Sequence, residues 1–359
     1  MGMLGRVFAV ALAAVAVAAM SAASAAAAPT VVATGLDNPR GLTFGADGTL
    51  YVAEAGRGGS GPCFVSSEPN LVCLGATGAI TQVRQGTQTR IATGLPSLAG
   101  AGGGGATGPN DVSVLGNGGV HFSLGLGAPP SAVAAGGPIA GSGMASLNRL
   151  NGRSGGWTAI ASLAAHEAAA NPDGTDLDTN PYGVLALPGR TFVADAGANA
   201  LLEVSASGRV STVAAFPPTP VNFPFPGFPM DAVPTSVAQG PDGALYVGQL
   251  TGFPFPVGGS TVWRIGDSGP VPFRTGFTNV VDITFGPDGS LYVVEIDSSS
   301  LRFPPEMIGS LIRVAPDGTR TTVAGNLFSP GGVALGADGT PYVTVCSVCP
   351  GGGQVLRLG

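Results

Sequence analysis

The sequence contains no lysine, and charged residues are scarce. All 15 basic residues are arginines, there are 21 acidic residues, and charged residues make up 10% of the 359. The formal net charge is −6 and the isoelectric point about 4.8. Domains that bind nucleic acid carry a clustered basic surface. The composition therefore argues against a nucleic-acid partner.

Residues and motifs for common hydrolytic chemistry are also sparse. The chain has only two histidines. His121 occupies a strand position held elsewhere by tyrosine, which predicts a core residue, and His166 falls in a long segment predicted to be a surface loop. The one match to the Gly-x-Ser-x-Gly pattern, residues 152–156, lies in a glycine-rich stretch without the strand-to-helix pattern that a hydrolase nucleophile requires. The sequence therefore argues against an α/β-hydrolase.

Only one long apolar run occurs, at the N-terminus. Arg6 precedes an apolar stretch over residues 7–19, and small residues follow over 21–28. This order predicts a signal peptide over residues 1–28, cleaved near 26–28. The alternative is a membrane anchor, although the run is short of the roughly 20 residues that a span needs. We expect an exported, monomeric protein over residues 29–359, with no membrane span in the mature chain.

Cysteine is rare, with four residues in all. An even number of cysteines in an exported chain predicts two disulfides. Local pairing, Cys63 with Cys73 and Cys346 with Cys349, is the preferred arrangement. A redox role for Cys346 and Cys349 is the alternative, but such a motif opens a helix, and here Pro350 and three glycines follow.

The most informative feature is a repeated hairpin. An apolar run, a two-residue turn containing Asp-Gly and a second apolar run with a tyrosine recur along the chain. Asp-Gly between apolar runs is typical of a type I′ hairpin turn. The four copies with Asp-Gly turns span residues 44–52, 239–247, 285–293 and 335–343. Two further copies, with Asn117-Gly118 and Pro188-Gly189 at the turn, bring the number to six.

A second hairpin follows most copies, so each repeat contains four antiparallel strands. Six such repeats predict an all-β fold, a six-bladed β-propeller. The last repeat stops one strand short, and the orphan strand over residues 31–36 resembles residues 90–95 of the first repeat. We expect the N-terminal strand to complete the last blade, which removes an exposed sheet edge.

The long connections join the second strand of a repeat to the third, or the fourth strand to the first strand of the next repeat. Both kinds of connection leave the antiparallel sheet at the same end, so they should all lie on one face of the disc. We call this the loop face, and we call the opposite face, with its tight Asp-Gly turns, the turn face. Function concentrates in loops on a rigid scaffold. The ends of the inner strands should converge at the channel mouth on the loop face. The candidate ligand-binding residues there are Arg40, Glu54, Asn110, Asp111, Tyr182, Asp195, Gln249, Asp282 and Glu295.

Three interpretations of these polar residues remain open. Carboxylates and amides are ligands suited to Ca²⁺, with Asp195 and Glu295 as candidate metal ligands. Two of the carboxylates could instead act in general acid–base catalysis. They could also cap turns and accept from loop backbone N–H groups.

Phenylalanine is concentrated in the long connections. Seven of the 16 phenylalanines lie in the long connections of blades three to five, interleaved with proline: Phe216, Phe223, Phe225, Phe228, Phe253, Phe255 and Phe303. Exposed apolar groups in stiff loops indicate an apolar ligand, and we include Phe253 and Phe255 among the candidate binding residues. The alternative is that these rings form the core of a lid.

The repeat resembles the NHL repeat, with Val193 to Val204 reading VADAGANALLEV. The mature chain as a whole resembles the ScyD/ScyE family of exported propellers, through residues 35–41, 171–174, 180–183, 234–237 and 248–256. The resemblance implies the same fold and export, and it leaves the activity open. Gluconolactonase-like propellers share the architecture and use a divalent cation at the channel mouth.

These observations predict a binding or scaffold protein that presents its loop face to a small molecule or a protein. The alternative is a metal-assisted hydrolase or lactonase acting at the channel mouth, with Ca²⁺ as a candidate cofactor.

Overall fold

The computed structural model describes residues 28–152, 155–302 and 305–359, and these form a six-bladed β-propeller. The predicted signal peptide lies almost wholly outside the described residues. The strands, in chain order, are β1 (Thr30–Leu36), β2 (Pro39–Phe44), β3 (Leu50–Glu54), β4 (Cys63–Val65), β5 (Leu71–Arg84), β6 (Thr87–Ala99), β7 (Pro109–Val114), β8 (Val120–Leu124), β9 (Ser146–Leu150), β10 (Trp157–Ser162), β11 (Pro181–Leu187), β12 (Arg190–Asp195), β13 (Ala200–Ser205), β14 (Val210–Ala215), β15 (Thr219–Val221), β16 (Phe228–Met230), β17 (Pro234–Gln239), β18 (Leu245–Gln249), β19 (Ser260–Gly266), β20 (Gly269–Phe277), β21 (Val280–Phe285), β22 (Leu291–Glu295), β23 (Ile308–Val314), β24 (Arg320–Phe328), β25 (Gly332–Leu335), β26 (Pro341–Val345) and β27 (Gly353–Arg357).

Each blade is an antiparallel sheet whose first strand is innermost. From the centre outward, the blades are β2-β3-β5-β6, β7-β8-β9-β10, β11-β12-β13-β14, β17-β18-β19-β20, β21-β22-β23-β24 and β25-β26-β27-β1. The inner strands contact one another in ring order, and β25 contacts β2. The six predicted hairpin turns each lie between the first and second strands of a blade.

The N-terminal strand closes the ring, as predicted. β1 pairs antiparallel with β27, with Val31 opposite Leu356 and Leu36 opposite Gly353. The sixth blade is thus built from both ends of the described chain. Its completion by β1 covers the outer edge of β27, which would otherwise be open to pairing with another chain.

Three segments that the sequence suggests are loops contain regular structure. In blade 1, β4 and the long ends of β5 and β6 extend the sheet beyond the predicted bounds. Residues 162–180 include helix α1 (Leu163–Ala170), and the Ser162 hydroxyl accepts from the Ala165 N–H at 3.2 Å. β15 and β16 form a small hairpin within residues 215–233. A 3₁₀ turn covers Pro130–Ala132. None of the helices in the described ranges is long and apolar enough to cross a membrane.

The repeated tyrosines pack between blades. Tyr246 of blade 4 contacts Phe285 of blade 5 with ring centroids 4.8 Å apart. Tyr342 of blade 6 contacts Phe44 of blade 1 at 4.9 Å. Edge-to-face aromatic pairs of this kind stabilise a fold beyond simple burial. The recurring tyrosine therefore has a structural role in these two blades.

Both predicted disulfides are present. Cys63 on β4 lies opposite Cys73 on β5, and the two sulfurs are bonded. Cys346 and Cys349 are bonded to each other in the loop between β26 and β27. Two disulfides and no free cysteine among the described residues fit an oxidising environment.

Candidate functional site

The starts of the inner strands bring Arg40 and Tyr182 together at the channel mouth. The Arg40 Nη1 donates to the Tyr182 hydroxyl at 3.3 Å, although blades 1 and 3 carry these residues. The Arg40 Nη2 donates to the Ala106 carbonyl at 2.8 Å. Arg40 is only 9% exposed, and its Nε has no hydrogen-bond partner among the described residues. Nearby, the Asn110 amide donates to the Pro181 carbonyl at 3.0 Å.

Asp111 and Asp282 form a pair of partly buried carboxyl groups on opposite blades of the ring. They occupy equivalent positions on β7 and β21, and each interacts with the backbone of the next blade. Val184 N–H donates to Asp111 Oδ2 at 2.7 Å, and Val333 N–H donates to Asp282 Oδ2 at 2.8 Å. A Cβ added to Gly41 would lie 1.9 Å from Asp111 Oδ1, so the inner strands are in close contact here.

The surroundings of this pair disfavour ionisation. Burial, and then the charge of Asp282, raise the pKa of Asp111 well above its ordinary value. Burial raises the pKa of Asp282 to about 7, although its two backbone N–H donors act in the opposite direction. A carboxyl group with a pKa near neutrality is a known feature of functional sites, but structural networks also produce it.

Asp195 and Glu295 end the second strands of their blades. Both side chains are buried and accept hydrogen bonds from donors of the same blade. Asp195 is fully buried and accepts from Thr179 Oγ1 and Asn180 N–H, each at 2.6 Å. Glu295 accepts from Thr278 N–H at 2.8 Å. In each case the donor precedes the inner strand, so the carboxylate holds the incoming connection in place. These contacts favour the third interpretation, a structural cap.

Gln249 and Glu54 follow the same pattern. The Gln249 Oε1 accepts from the Trp263 indole N–H at 2.6 Å. Glu54 is fully buried and accepts from Asp37 N–H at 2.8 Å. Its carboxylate reaches across β5 to Arg90 on the outer strand, with contacts of 2.9 and 2.6 Å. Glu54 therefore differs from the other residues at the strand ends, because its charge is paired with an arginine on the outer strand of blade 1.

The predicted metal ligands do not combine into one site. Asp195 and Glu295 belong to blades 3 and 5, and each accepts donors from its own blade. No group of three His, Cys, Asp or Glu residues in the described ranges is arranged to hold a metal ion. The residues at the mouth therefore do not fit the cation of gluconolactonase-like propellers, and we derive no chemistry through a metal there.

An aromatic patch lies on the loop face beside blades 3 and 4. It consists of Phe223, Phe225, Phe228, Phe253 and Phe255. Phe253 is at its centre, with ring centroids 5.9 Å from Phe223, 5.8 Å from Phe228 and 6.4 Å from Phe255. Phe223, Phe225 and Phe253 are 43, 56 and 43% exposed.

Polar contacts and the small hairpin hold the patch in place. Phe225 and Phe228 contact edge to face at 5.4 Å within the β15–β16 hairpin. The Ser300 hydroxyl donates to the Phe255 carbonyl at 2.8 Å, and the Arg302 guanidinium carbon lies 4.3 Å from the Phe223 ring centroid.

Two of the seven predicted phenylalanines do not belong to this patch as described. Phe216 is 2% exposed and packs against Trp263 with centroids 6.1 Å apart, so it is part of the core. Phe303 lies outside the described residues. Phe216 belongs to the apolar core between blades 3 and 4, where it packs with Phe192 and Val247.

The two histidines make hydrogen bonds that fit structural roles. His121 Nδ1 lies 3.0 Å from Thr191 Oγ1 on the neighbouring blade. His166 lies on α1 rather than in a loop, and its Nε2 lies 2.9 Å from Thr212 Oγ1. Burial lowers the pKa of both rings.

The sequence interpretation missed an acidic cluster around the end of α1. Glu167, Asp178, Asp195 and Asp231 all have raised pKa values, and burial is the main cause for each. The available signal was the alanine-rich run after Ser162, which favours a helix, followed by four acidic residues over 167–178. The helix places Glu167 inside the protein rather than on a surface loop.

Comparison with known proteins supports the architecture. No family model matches the chain, and no curated protein matches it. Among solved structures, a streptogramin B lyase is 16% identical with a TM-score of 0.50, covering 92% of this chain and 97% of that one. A calcium-binding protein, regucalcin, from Agrobacterium tumefaciens is 14% identical with a TM-score of 0.51, covering 92% and 93%. A candidate gluconolactonase is 11% identical with a TM-score of 0.51, covering 93% of each chain. Likeness at this identity shows the fold alone.

Proposed function

We propose that this protein is an exported propeller that binds an apolar small molecule at the aromatic patch of its loop face. The observation that carries the proposal is the patch itself, in which three of five contacting phenylalanine rings are more than 40% exposed. Contiguous exposed aromatic surface is costly in water and marks binding sites. The resemblance to exported ScyD/ScyE propellers and the two disulfides support export.

The rings are held in a way that suits binding. Phe225 and Phe228 flank the tip of a paired hairpin, and Phe253 and Phe255 alternate with prolines in the facing connection. A surface that is already ordered loses little conformational entropy when a ligand binds. We therefore expect an aromatic or aliphatic group to lie across Phe225, Phe253 and Phe255.

The second candidate function, hydrolysis at the channel mouth, would depend on Asp111 and Asp282. Both oxygens of each carboxyl accept a backbone N–H: Asp111 from Val112 and Val184, and Asp282 from Ile283 and Val333. Groups engaged in this way have fewer lone pairs for a water molecule or a metal ion. The contacts favour the binding function.

The test uses the mature chain and the apolar fluorescent dye 8-anilinonaphthalene-1-sulfonate as a probe. We expect Phe225→Ser and Phe255→Ser each to weaken dye binding by at least about tenfold, with the circular dichroism spectrum and Tm close to wild type. Phe328→Ser is the matched control, because Phe328 is 46% exposed on β24, outside the patch. If all three variants bind the dye as the wild type does, the patch is not the binding surface.

A further inference from the structure

The end of helix α1 carries a buried carboxylate with no partner. Glu167 is only 1% exposed, and neither Oε1 nor Oε2 has a hydrogen-bond partner within the described part of the chain. The Oδ1 of Asn171, which caps the helix, is also buried and without a partner there. Three buried oxygen acceptors at one place represent a substantial uncompensated desolvation cost.

Glu167 and Asn171 are neighbours at the end of the helix. Asn171 follows Glu167 by four residues, and its N–H donates to the Glu167 carbonyl at 3.0 Å. Asn171 has a φ of 39°, which ends the helix in the left-handed conformation. A helix C-terminus carries a partial negative charge. The backbone therefore adds to the negative potential produced by Glu167.

Nearby side chains increase this potential further. The charged side chains that interact with the Glu167 carboxylate are those of Asp195, Asp173, Asp178 and Asp176. All four are acidic. Like charges around a buried carboxylate destabilise its ionised form unless a cation or a proton compensates.

The neighbouring carboxylates are already used as acceptors. Asp195 accepts from Thr179 and Asn180, and Asp173 accepts from the hydroxyl of Thr175 at 2.7 Å and from the amide of Asn199 at 2.9 Å. They can supply charge, whereas Glu167 and Asn171 supply free oxygens. Because Asp195 and Asp173 are engaged in this way, they do not join Glu167 as ligands. This agrees with the finding that no group of three His, Cys, Asp or Glu residues in the described ranges is arranged to hold a metal ion.

We infer that the C-terminal end of α1 binds Ca²⁺, with both carboxylate oxygens of Glu167 and the Oδ1 of Asn171 as protein ligands. Carboxylate and amide oxygens are the donors that Ca²⁺ takes, and water completes its coordination in open sites. The cation satisfies the three unpartnered oxygens and offsets the surrounding negative charge. With few protein ligands, we expect a Kd of about 10⁻⁴–10⁻³ M, the range of extracellular calcium modules.

This site is distinct from both the channel mouth and the aromatic patch. It lies between blades 2 and 3, at the end of α1, and it does not use Glu295 or any patch phenylalanine. The inference does not depend on the proposed function, so the loss of one leaves the other intact.

Calcium titration of the mature chain by calorimetry tests the site, together with Tm measurements in chelator and in 10 mM Ca²⁺. We expect Ca²⁺ to raise the wild-type Tm by a few degrees, because it binds the folded state only. Glu167→Gln keeps the side-chain shape and removes the charge. It should weaken Ca²⁺ binding by at least about tenfold and, in chelator, leave the Tm equal to or above that of the wild type.

Two more variants make the result unambiguous. Asn171→Ala removes one ligand and should weaken binding even if Glu167→Gln fails to fold. Glu68→Gln, at an exposed glutamate of the loop face, is the matched control and should bind Ca²⁺ as the wild type does. The inference is overturned if the wild type shows no Ca²⁺ binding at 10 mM, or if Ca²⁺ binding survives in both Glu167→Gln and Asn171→Ala. It is also overturned if only Glu295→Gln abolishes binding, because that result would assign the Ca²⁺ site to blade 5.

Discussion

The two faces of the disc use acidic residues in opposite ways. On the turn face, Asp242, Asp288 and Asp338 are 40, 51 and 60% exposed and pair with Arg264, Arg313 and Arg357 at 2.8, 2.6 and 3.3 Å. On the loop face, Asp195 and Glu167 are buried and Asp111 is partly buried, and all three have raised pKa values. The comparison shows that each of these turn-face charges is paired with an arginine of its own blade, whereas these loop-face carboxyl groups are removed from water without an arginine partner.

The local arrangement on the turn face repeats from blade to blade. Tyr246, Tyr292 and Tyr342 lie opposite the three arginines across the second and third strands. Each arginine reaches the aspartate of the preceding turn, and this aspartate also accepts from the backbone N–H two residues later. Hydrogen bonding to Arg313 is the main cause that lowers the pKa of Asp288 to about 2.

The largest effect is expected for the ion pair between the buried Glu54 and Arg90 of blade 1. Glu54→Ala leaves Arg90 without its bidentate partner and the Asp37 N–H without an acceptor. We expect a loss of about 3 kcal/mol in the free energy of unfolding, the lower end for breaking a buried pair, because the Arg90 side chain is 37% exposed. Denaturant unfolding measures the loss. Arg84→Ala removes the exposed 3.7 Å pair with Asp47 on the turn face of the same blade, and it should change little; equal losses would contradict the contrast between the faces.

The pH dependence of stability should have opposite signs for the two faces. Glu167 and Asp282 have folded pKa values of about 7, above those of the unfolded chain. The folded state therefore binds more protons between about pH 4 and 7, and the stability from these groups is lost as pH rises through that range. Asp288 has a lowered folded pKa of about 2, so its contribution is present above about pH 4 and is lost as pH falls.

Together these signs predict a maximum of Tm in chelator between about pH 4 and 6. Scanning calorimetry from pH 3 to 8 measures it. Burial also raises the pKa of Asp178 and of Asp195, and these two groups add to the same trend. In Glu167→Gln the decline toward pH 8 should be shallower than in the wild type. A wild-type Tm that rises steadily up to pH 8 would show that the loop-face acids are not destabilised by burial.

The smallest effect is expected on the turn face. Asp288→Asn removes the charge that pairs with Arg313 but keeps an oxygen for the Ser290 N–H, which Asp288 Oδ1 accepts at 3.0 Å. Because the Asp288 side chain is 51% exposed, we expect a loss of at most about 1 kcal/mol, and less at high salt. Denaturant unfolding at low and high salt measures it. A loss as large as that of Glu54→Ala would remove the distinction between the two faces.

The candidate site was only partly predictable. Its strand ends could be located from the hairpin repeat, and Arg40 and Tyr182 do meet at the mouth. The direction of each side chain could not be predicted, because it depends on which hydrogen-bond donor the next blade or the incoming connection presents. Glu54 and Asp195 hold equivalent positions, yet one pairs with an arginine on the outer strand and the other accepts from Thr179 and Asn180.

The sequence by itself determined the blades, their register and the disulfides. These features depend on contacts between residues close along the chain: Asp-Gly turns, alternating apolar strands and cysteines ten and three residues apart. Only the tertiary structure decided which polar groups are buried and satisfied. Burial of Glu167 and the approach of Asp111 to Asp282 arise when separate repeats are brought together by ring closure. Desolvation and charge–charge interactions depend on distance in space, so no local pattern records them.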